Sequence, residues 1–163
     1  MIDEEQLQQE ILDFVKQQQT LMLSTVNAEN QPLASYTPFI QDEQGNFYIF
    51  ISDMAEHSKN IQMASQNKSG VSVLLIEDEQ ASRNLFARKR LSYSCQVKKI
   101  DRSEAEWAIL IQQFQDRFGK IMELLAQLGD FRLFCLRPKI GNFVQGFGKA
   151  YNLENGKIKH ITK

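Results

Sequence analysis

The chain has 163 residues, 42% hydrophobic and 24% charged. At this length one domain buries roughly 70% of the surface its unfolded chain exposes, without help from disulfides or metal. Nineteen Lys and Arg against twenty Asp and Glu leave a net charge of −1, which excludes the general electrostatic drive of a nucleic-acid or membrane-surface binder but leaves room for a local anion site. Residues 1–9 hold acids and glutamines where a secretory leader carries basic residues and then an apolar run. No stretch approaches about 18 apolar residues, so the expectation is a cytoplasmic chain without a membrane span, read as one domain over 1–163.

Asp3, Glu4 and Glu5 mark a helix start, and Leu7, Ile11, Phe14 and Val15 then recur at helical spacing. From Thr20 the pattern turns to strands at 21–26, 33–40 and 47–51, joined by short polar turns at 27–30 and 42–46. Asp53 is positioned to cap a helix running to about Gln66. Residues 71–76 are almost continuously apolar and read as a strand buried on both faces.

After a polar loop, residues 86–97 alternate. Ala87, Leu91, Tyr93, Cys95 and Val97 fall on one face, with Arg88, Arg90, Ser92 and Ser94 on the other. Ser103, with Glu106 at the capping-box position, opens two consecutive helices interrupted near Gly119. A strand at 131–136, a break at Pro138, a second strand over 142–153 and a short terminal segment at 158–161 complete the chain. Six or seven hairpin-linked strands with inserted helices predict an antiparallel α+β barrel.

Gly141 with Gly146-Phe147-Gly148 fails as a dinucleotide fingerprint, because Tyr151 follows where a third Gly belongs and no helix opens. Two readings stand: a bent barrel strand, or a small-residue face approached closely by a helix or flat ligand. No nucleophile elbow occurs, and His57 and His160 are the only histidines. Cys95 and Cys135 lack partners at metal-ligand spacing, which excludes structural zinc and makes buried thiols the plain reading, with a disulfide or reactive thiol as the other. Arg88, Lys89 and Arg90 either bind a carboxylate or phosphate or form a solvated face balanced by the acidic run Glu77-Asp78-Glu79.

Several stretches, in order, resemble the haem-utilisation proteins of the pyridoxamine 5′-phosphate oxidase-like superfamily. They are Pro32-Leu33-Ala34-Ser35-Tyr36-Thr37-Pro38-Phe39, Ala55-Glu56-His57-Ser58-Lys59-Asn60-Ile61, Leu74-Leu75-Ile76-Glu77-Asp78-Glu79, Phe86-Ala87-Arg88-Lys89-Arg90-Leu91, Asp130-Phe131 and Gly146-Phe147-Gly148-Lys149-Ala150-Tyr151. The resemblance implies an FMN-binding split barrel of Greek-key type with flanking helices, working as a homodimer with ligand sites between subunits. It further implies a haem-binding protein that opens the porphyrin ring with oxygen and an external electron donor and releases iron, with no nucleic-acid or membrane partner. In that reading His160 is the proximal iron ligand, Asp130 its hydrogen-bonding partner and Arg90 a distal group.

Two alternatives come with the same family. One is a haem carrier or storage protein without catalysis. The other is a flavin oxidoreductase holding the FMN phosphate through Ser52, His57, Ser58, Lys59, Arg88 and Lys89. In that branch a Lys is expected three residues before the Asn of the following helix, and here His57 stands at that place before Asn60 while Lys59 is displaced by two.

Overall fold

The computed structural model describes residues 3–159. Helix α1 (Glu4–Gln17) starts where expected, with the Asp3 carboxylate accepting from the backbone N–H groups of Glu5 and Gln6 at 3.1 and 3.2 Å. Its stripe of Leu7, Ile11, Phe14 and Val15 is buried, and the Phe14 ring lies 6.0 Å from that of Phe143. Burying such side chains stabilises the docking by roughly 1.5–3 kcal/mol each before entropy is counted.

Strands β1 (Thr20–Val26), β2 (Pro32–Gln41), β3 (Phe47–Ser52), β4 (Gly70–Ile76), β5 (Arg90–Ile100) and β6 (Phe131–Gly146) form a closed antiparallel barrel. Their order is β3-β2-β1-β4-β5-β6, and β6 pairs back onto β3. Strands β7 (Lys149–Glu154) and β8 (Lys157–Ile158) extend the sheet beyond β6. The architecture is an α+β split barrel whose closed part has six strands, within the six or seven expected, with two further short strands among the described residues.

Inside the barrel lie Leu21, Leu23, Phe39, Phe47, Ile49, Val73, Leu91 and Phe134, among others. A second core forms where α3 (Ala105–Phe118) and α4 (Ile121–Gln127) cover the outer faces of β3 and β6, with Tyr48, Phe50, Leu110, Phe114, Leu133 and Cys135. Strand β3 and residues 133–136 of β6 are therefore buried on both sides. Strand β4 was expected to be so but is not: Val71, Val73 and Leu75 point inward while Ser72 stays exposed, because the helices land elsewhere.

Five further expectations are corrected. Helix α2 (Glu56–Asn67) has Ala55 at its N-cap with no side-chain cap, since the Asp53 carboxylate is taken by Arg132. Ser103 does not cap α3. Glu104 stands at that position, and its carboxylate accepts from the Asp101 N–H at 2.9 Å. Leu85–Ala87 form a 3₁₀ turn, so β5 begins only at Arg90 and Arg88 does not share a strand face with it.

Pro138 does not break β6. Pairing with β3 ends at Leu136 and pairing with β7 begins at Ile140, so the proline falls between them, where its missing N–H is not needed. The residue after it is accommodated by a bulge opposite Ser94 and Cys95. The expected strand over 142–153 is instead a hairpin, turned at Gly148 with φ +67°. The predicted terminal segment lies partly outside the described residues, as does His160.

Gly141 sits on β6 where a Cβ would run into the Tyr93 ring and come within 2.6 Å of the Ser92 carbonyl oxygen. Gly141→Ala should therefore cost about 1–3 kcal/mol of stability in urea unfolding. Gly146→Ala, with nothing within 4 Å of the added carbon, should leave the midpoint nearly unchanged.

Candidate functional site

The candidate residues fall into two groups near opposite ends of β6. Ser52 pairs with Phe131 and Arg90 with Val144, so β6 separates the two groups by about 40 Å of strand at the usual rise per residue.

At the first end β3 runs into α2. Ser52 Oγ donates to Asp130 Oδ2 at 2.7 Å and accepts from the Met54 N–H at 3.1 Å, while the Asp130 carbonyl accepts from the Asp53 N–H at 2.7 Å. Ser58 is fully buried, with its hydroxyl spent on the Ser52 carbonyl at 2.5 Å. His57 Nδ1 lies 2.9 Å from Ser35 Oγ, and burial pushes its pKa down, so the imidazole is held neutral. Lys59 is exposed and, among the described residues, forms no ion pair.

This end suits a phosphate dianion poorly. The Ser52 hydroxyl already serves the Asp130 carboxylate, Ser58 is inaccessible, and Arg132 is committed to Asp53 at 2.8 Å. Among these groups only Lys59 offers an unpaired positive charge, and an adjacent carboxylate opposes a second anion.

The Asp130 turn is braced from behind. The Arg102 guanidinium donates to the carbonyls of Ala126 at 2.9 Å, Leu128 at 2.7 Å and Phe131 at 3.4 Å, and it lies 4.8 Å from the Trp107 ring. These bonds close the end of α4 onto the start of β6 and so set where the carboxylate points. Neither Arg102 nor Ser35 carries a sequence signal for these roles, because both act on residues far along the chain.

At the second end the three consecutive cations are treated differently. The Lys89 ammonium pairs with Glu10 on α1 at 2.7 Å, and Glu10 also accepts from Gln145. The Lys89 N–H donates to the Glu77 carboxylate at 2.8 Å and its carbonyl accepts from the Glu77 N–H at 2.9 Å. Arg88 donates to the Glu77 carbonyl and lies 3.9 Å from the exposed Glu79 carboxylate. Arg90 donates to the Arg88 carbonyl at 3.0 Å and, among the described residues, meets no acid. Its guanidinium keeps both its charge and spare N–H groups for an incoming carboxylate.

The chain's last described residue lies near this end. Lys159 donates its N–H to the Asn152 carbonyl at 2.8 Å, and two positions back along β7 Ala150 pairs with Val144, itself the partner of Arg90. Cys95 and Cys135 are buried and unbridged on opposite faces of the barrel wall, and burial pushes the Cys95 thiol up to about 12. Both are packing residues. A cavity of about 540 Å³ between α1 and the β7–β8 turn, walled by Ile11, Val15, Leu91, Tyr93 and Ile158, holds none of the candidate residues.

A family model for Pyridoxamine 5′-phosphate oxidase matches residues 7–145. The heme oxygenase HutZ of Vibrio cholerae serotype O1 is 41% identical over 152 residues, covering 93% of this chain and 84% of that protein. A crystal structure of HutZ from Vibrio cholerae, described there as a heme storage protein, superposes with a TM-score of 0.74. It shares 39% identity, over 80% of this chain and 89% of that one. ChuZ from Campylobacter jejuni superposes with a TM-score of 0.86 at 29% identity, over 99% of this chain and 64% of that one.

The neutral His57 has a consequence for acid stability. Its folded-state pKa is below the ordinary 6.5, so as pH falls through that value the unfolded chain takes up the proton first and stability is lost; well above it there is no effect. Urea midpoints at about pH 7.5 and about pH 5.5 should drop for the parent protein and drop less for His57→Gln. Equal losses in both would assign the acid sensitivity to other groups.

Proposed function

The chain belongs to the pyridoxamine 5′-phosphate oxidase family, and from that footing we propose that it binds haem and opens the porphyrin ring with oxygen and an external electron donor, releasing iron. The observation that carries the reading is Arg90: alone of the three adjacent cations it has no acid among the described residues, at the end of the β5–β6 ribbon near which the described chain stops. A guanidinium with free N–H groups fits a ligand bearing carboxylates. The 41% identity to a heme oxygenase over 93% of the chain supplies the chemical class.

Haem, here the substrate, supplies the redox-active iron at which oxygen is reduced. The residues of the chain bind and orient it. His160, next after Lys159, is proposed as the proximal ligand through a neutral imidazole nitrogen, and Arg90 as the group that holds a propionate or the distal side. Asp130 directly precedes β6 whereas Arg90 pairs near the other end of that strand, and Asp130 is proposed to act on the haem held by a second copy of the chain.

A homodimer is therefore part of the proposal. Its support is the outer face of the barrel, where exposed Met22 stands opposite exposed Tyr36, with the small residues Ser24, Ala34, Ser72 and Ser94 paired alongside. A flat face of small side chains rimmed by large apolar ones is suited to close packing against an identical face.

The test is an absorbance titration with hemin. The parent protein should give a saturable Soret shift at one haem per chain, and His160→Ala should weaken it by at least about tenfold, as loss of an axial ligand demands. Reductant and oxygen should then bleach the Soret band and deliver iron to a ferrous chelator. Haem handed intact to an apo-acceptor, with no bleaching, would make the protein a carrier. No Soret shift, with tight FMN binding in a parallel sample, would replace haem with flavin.

A further inference from the structure

The loop between β4 and β5 is closed and braced, yet it presents its largest apolar side chains to solvent. Glu77 ties its base to Arg88 and Lys89. Inside it, Asp78 accepts from the N–H of Gln80 at 2.7 Å, Ser82 Oγ donates to the Asn84 carbonyl at 3.1 Å, and Asn84 Oδ1 accepts from the Phe86 N–H at 2.9 Å. These bonds hold the 3₁₀ turn in one conformation, with Leu85 59% and Phe86 90% exposed.

A second aromatic stands out at the same end. The 3₁₀ turn packs on β6, and the β6–β7 hairpin that follows Val144 carries Phe147 at its tip, 69% exposed. Arg90 pairs with Val144, so both projecting segments leave the β5–β6 ribbon just beyond a guanidinium that meets no acid among the described residues. Isolated exposed apolar residues need no explanation, but three large ones on the two segments that flank a guanidinium with spare N–H groups suit a binding surface.

We propose that Leu85, Phe86 and Phe147 form an apolar wall for the face of a planar tetrapyrrole whose carboxylate is held by Arg90. Charge and shape select this occupant: a porphyrin combines a wide apolar ring face, which aromatic side chains cover well, with carboxylates at its edge, which a guanidinium binds through paired hydrogen bonds. The bracing of the loop means that little ordering entropy is lost when the ligand arrives. The proposal rests on the haem reading but concerns contacts to the ring and not to the iron.

Metal-free protoporphyrin IX separates the two. Fluorescence titration with this probe, beside absorbance titration with hemin, is to be run on the parent protein, Phe86→Ala, Phe147→Ala, Phe86→Tyr and His160→Ala. Phe86→Ala and Phe147→Ala should each weaken both ligands about tenfold, Phe86→Tyr should restore binding, and His160→Ala should weaken hemin alone. Unchanged thermal midpoints are expected for the exposed Phe86 and Phe147 variants, so the losses cannot be laid to unfolding.

If the parent protein binds both ligands and the phenylalanine variants bind them as tightly, the wall is disproved while the haem reading stands. A parent protein that binds neither ligand overturns that reading and the wall with it. If the variants change only the sedimentation coefficient, the patch belongs to a contact between two copies of the chain and the proposal falls.

Discussion

Everything in this fold depends on one strand having three neighbours. Strand β6 bonds to β3 through 131–136, to β5 through 133–144 and to β7 through 140–146. The first pairing closes the barrel, the second forms its longest wall, and the third holds the C-terminal strands in place. An edge strand would present open N–H and C=O groups; here closure removes the edges of β3 and β6 together. Pro138 is tolerated because it lies at the handover between outer partners, and Gly141 is required because the Tyr93 ring fills the space a side chain would need.

The same strand sets two chemically different ends apart. At one, α2 and the Asp130 turn meet in a web of neutral and paired groups: Ser52 with Asp130, Asp53 with Arg132, and His57 with Ser35. At the other, Glu10 pairs with the Lys89 ammonium and Arg88 turns to the Glu77 carbonyl, while Arg90 meets no acid among the described residues. The chain's near-zero net charge conceals this contrast. Function is carried by which charges lack partners, and that is decided one contact at a time.

Much of the fold was legible in the sequence because periodicity is a local property. The buried stripe of α1 and the alternation of β1 and β5 follow from which face must leave water, and the Gly119 interruption between α3 and α4 coincides with φ +83°. The errors share another cause. Asp53 is a good capping residue with a better partner in Arg132, 79 residues away. Strand β4 keeps Ser72 exposed on its outer face, with Leu74 and Ile76 half-buried, because α3 and α4 pack on β3 and β6 instead. For Asp53 a local capping preference of about 1 kcal/mol yielded to a tertiary contact.

By itself, then, the sequence determined the antiparallel α+β class, most element positions, the buried state of both cysteines and, through ordered resemblance, the family. It also singled out 88–90 as a cationic run. Only the tertiary structure decided that Lys89 pairs with Glu10 while Arg90 meets no acid among the described residues, that Ser52 and Arg90 pair near opposite ends of β6, and that Phe86 and Phe147 are exposed on the two segments that flank the β5–β6 ribbon. The physical reason is that a charge or an aromatic ring acquires its role from what surrounds it. Glu10 lies 79 residues from Lys89 in the chain and 2.7 Å from it in space, and no local pattern encodes such an approach.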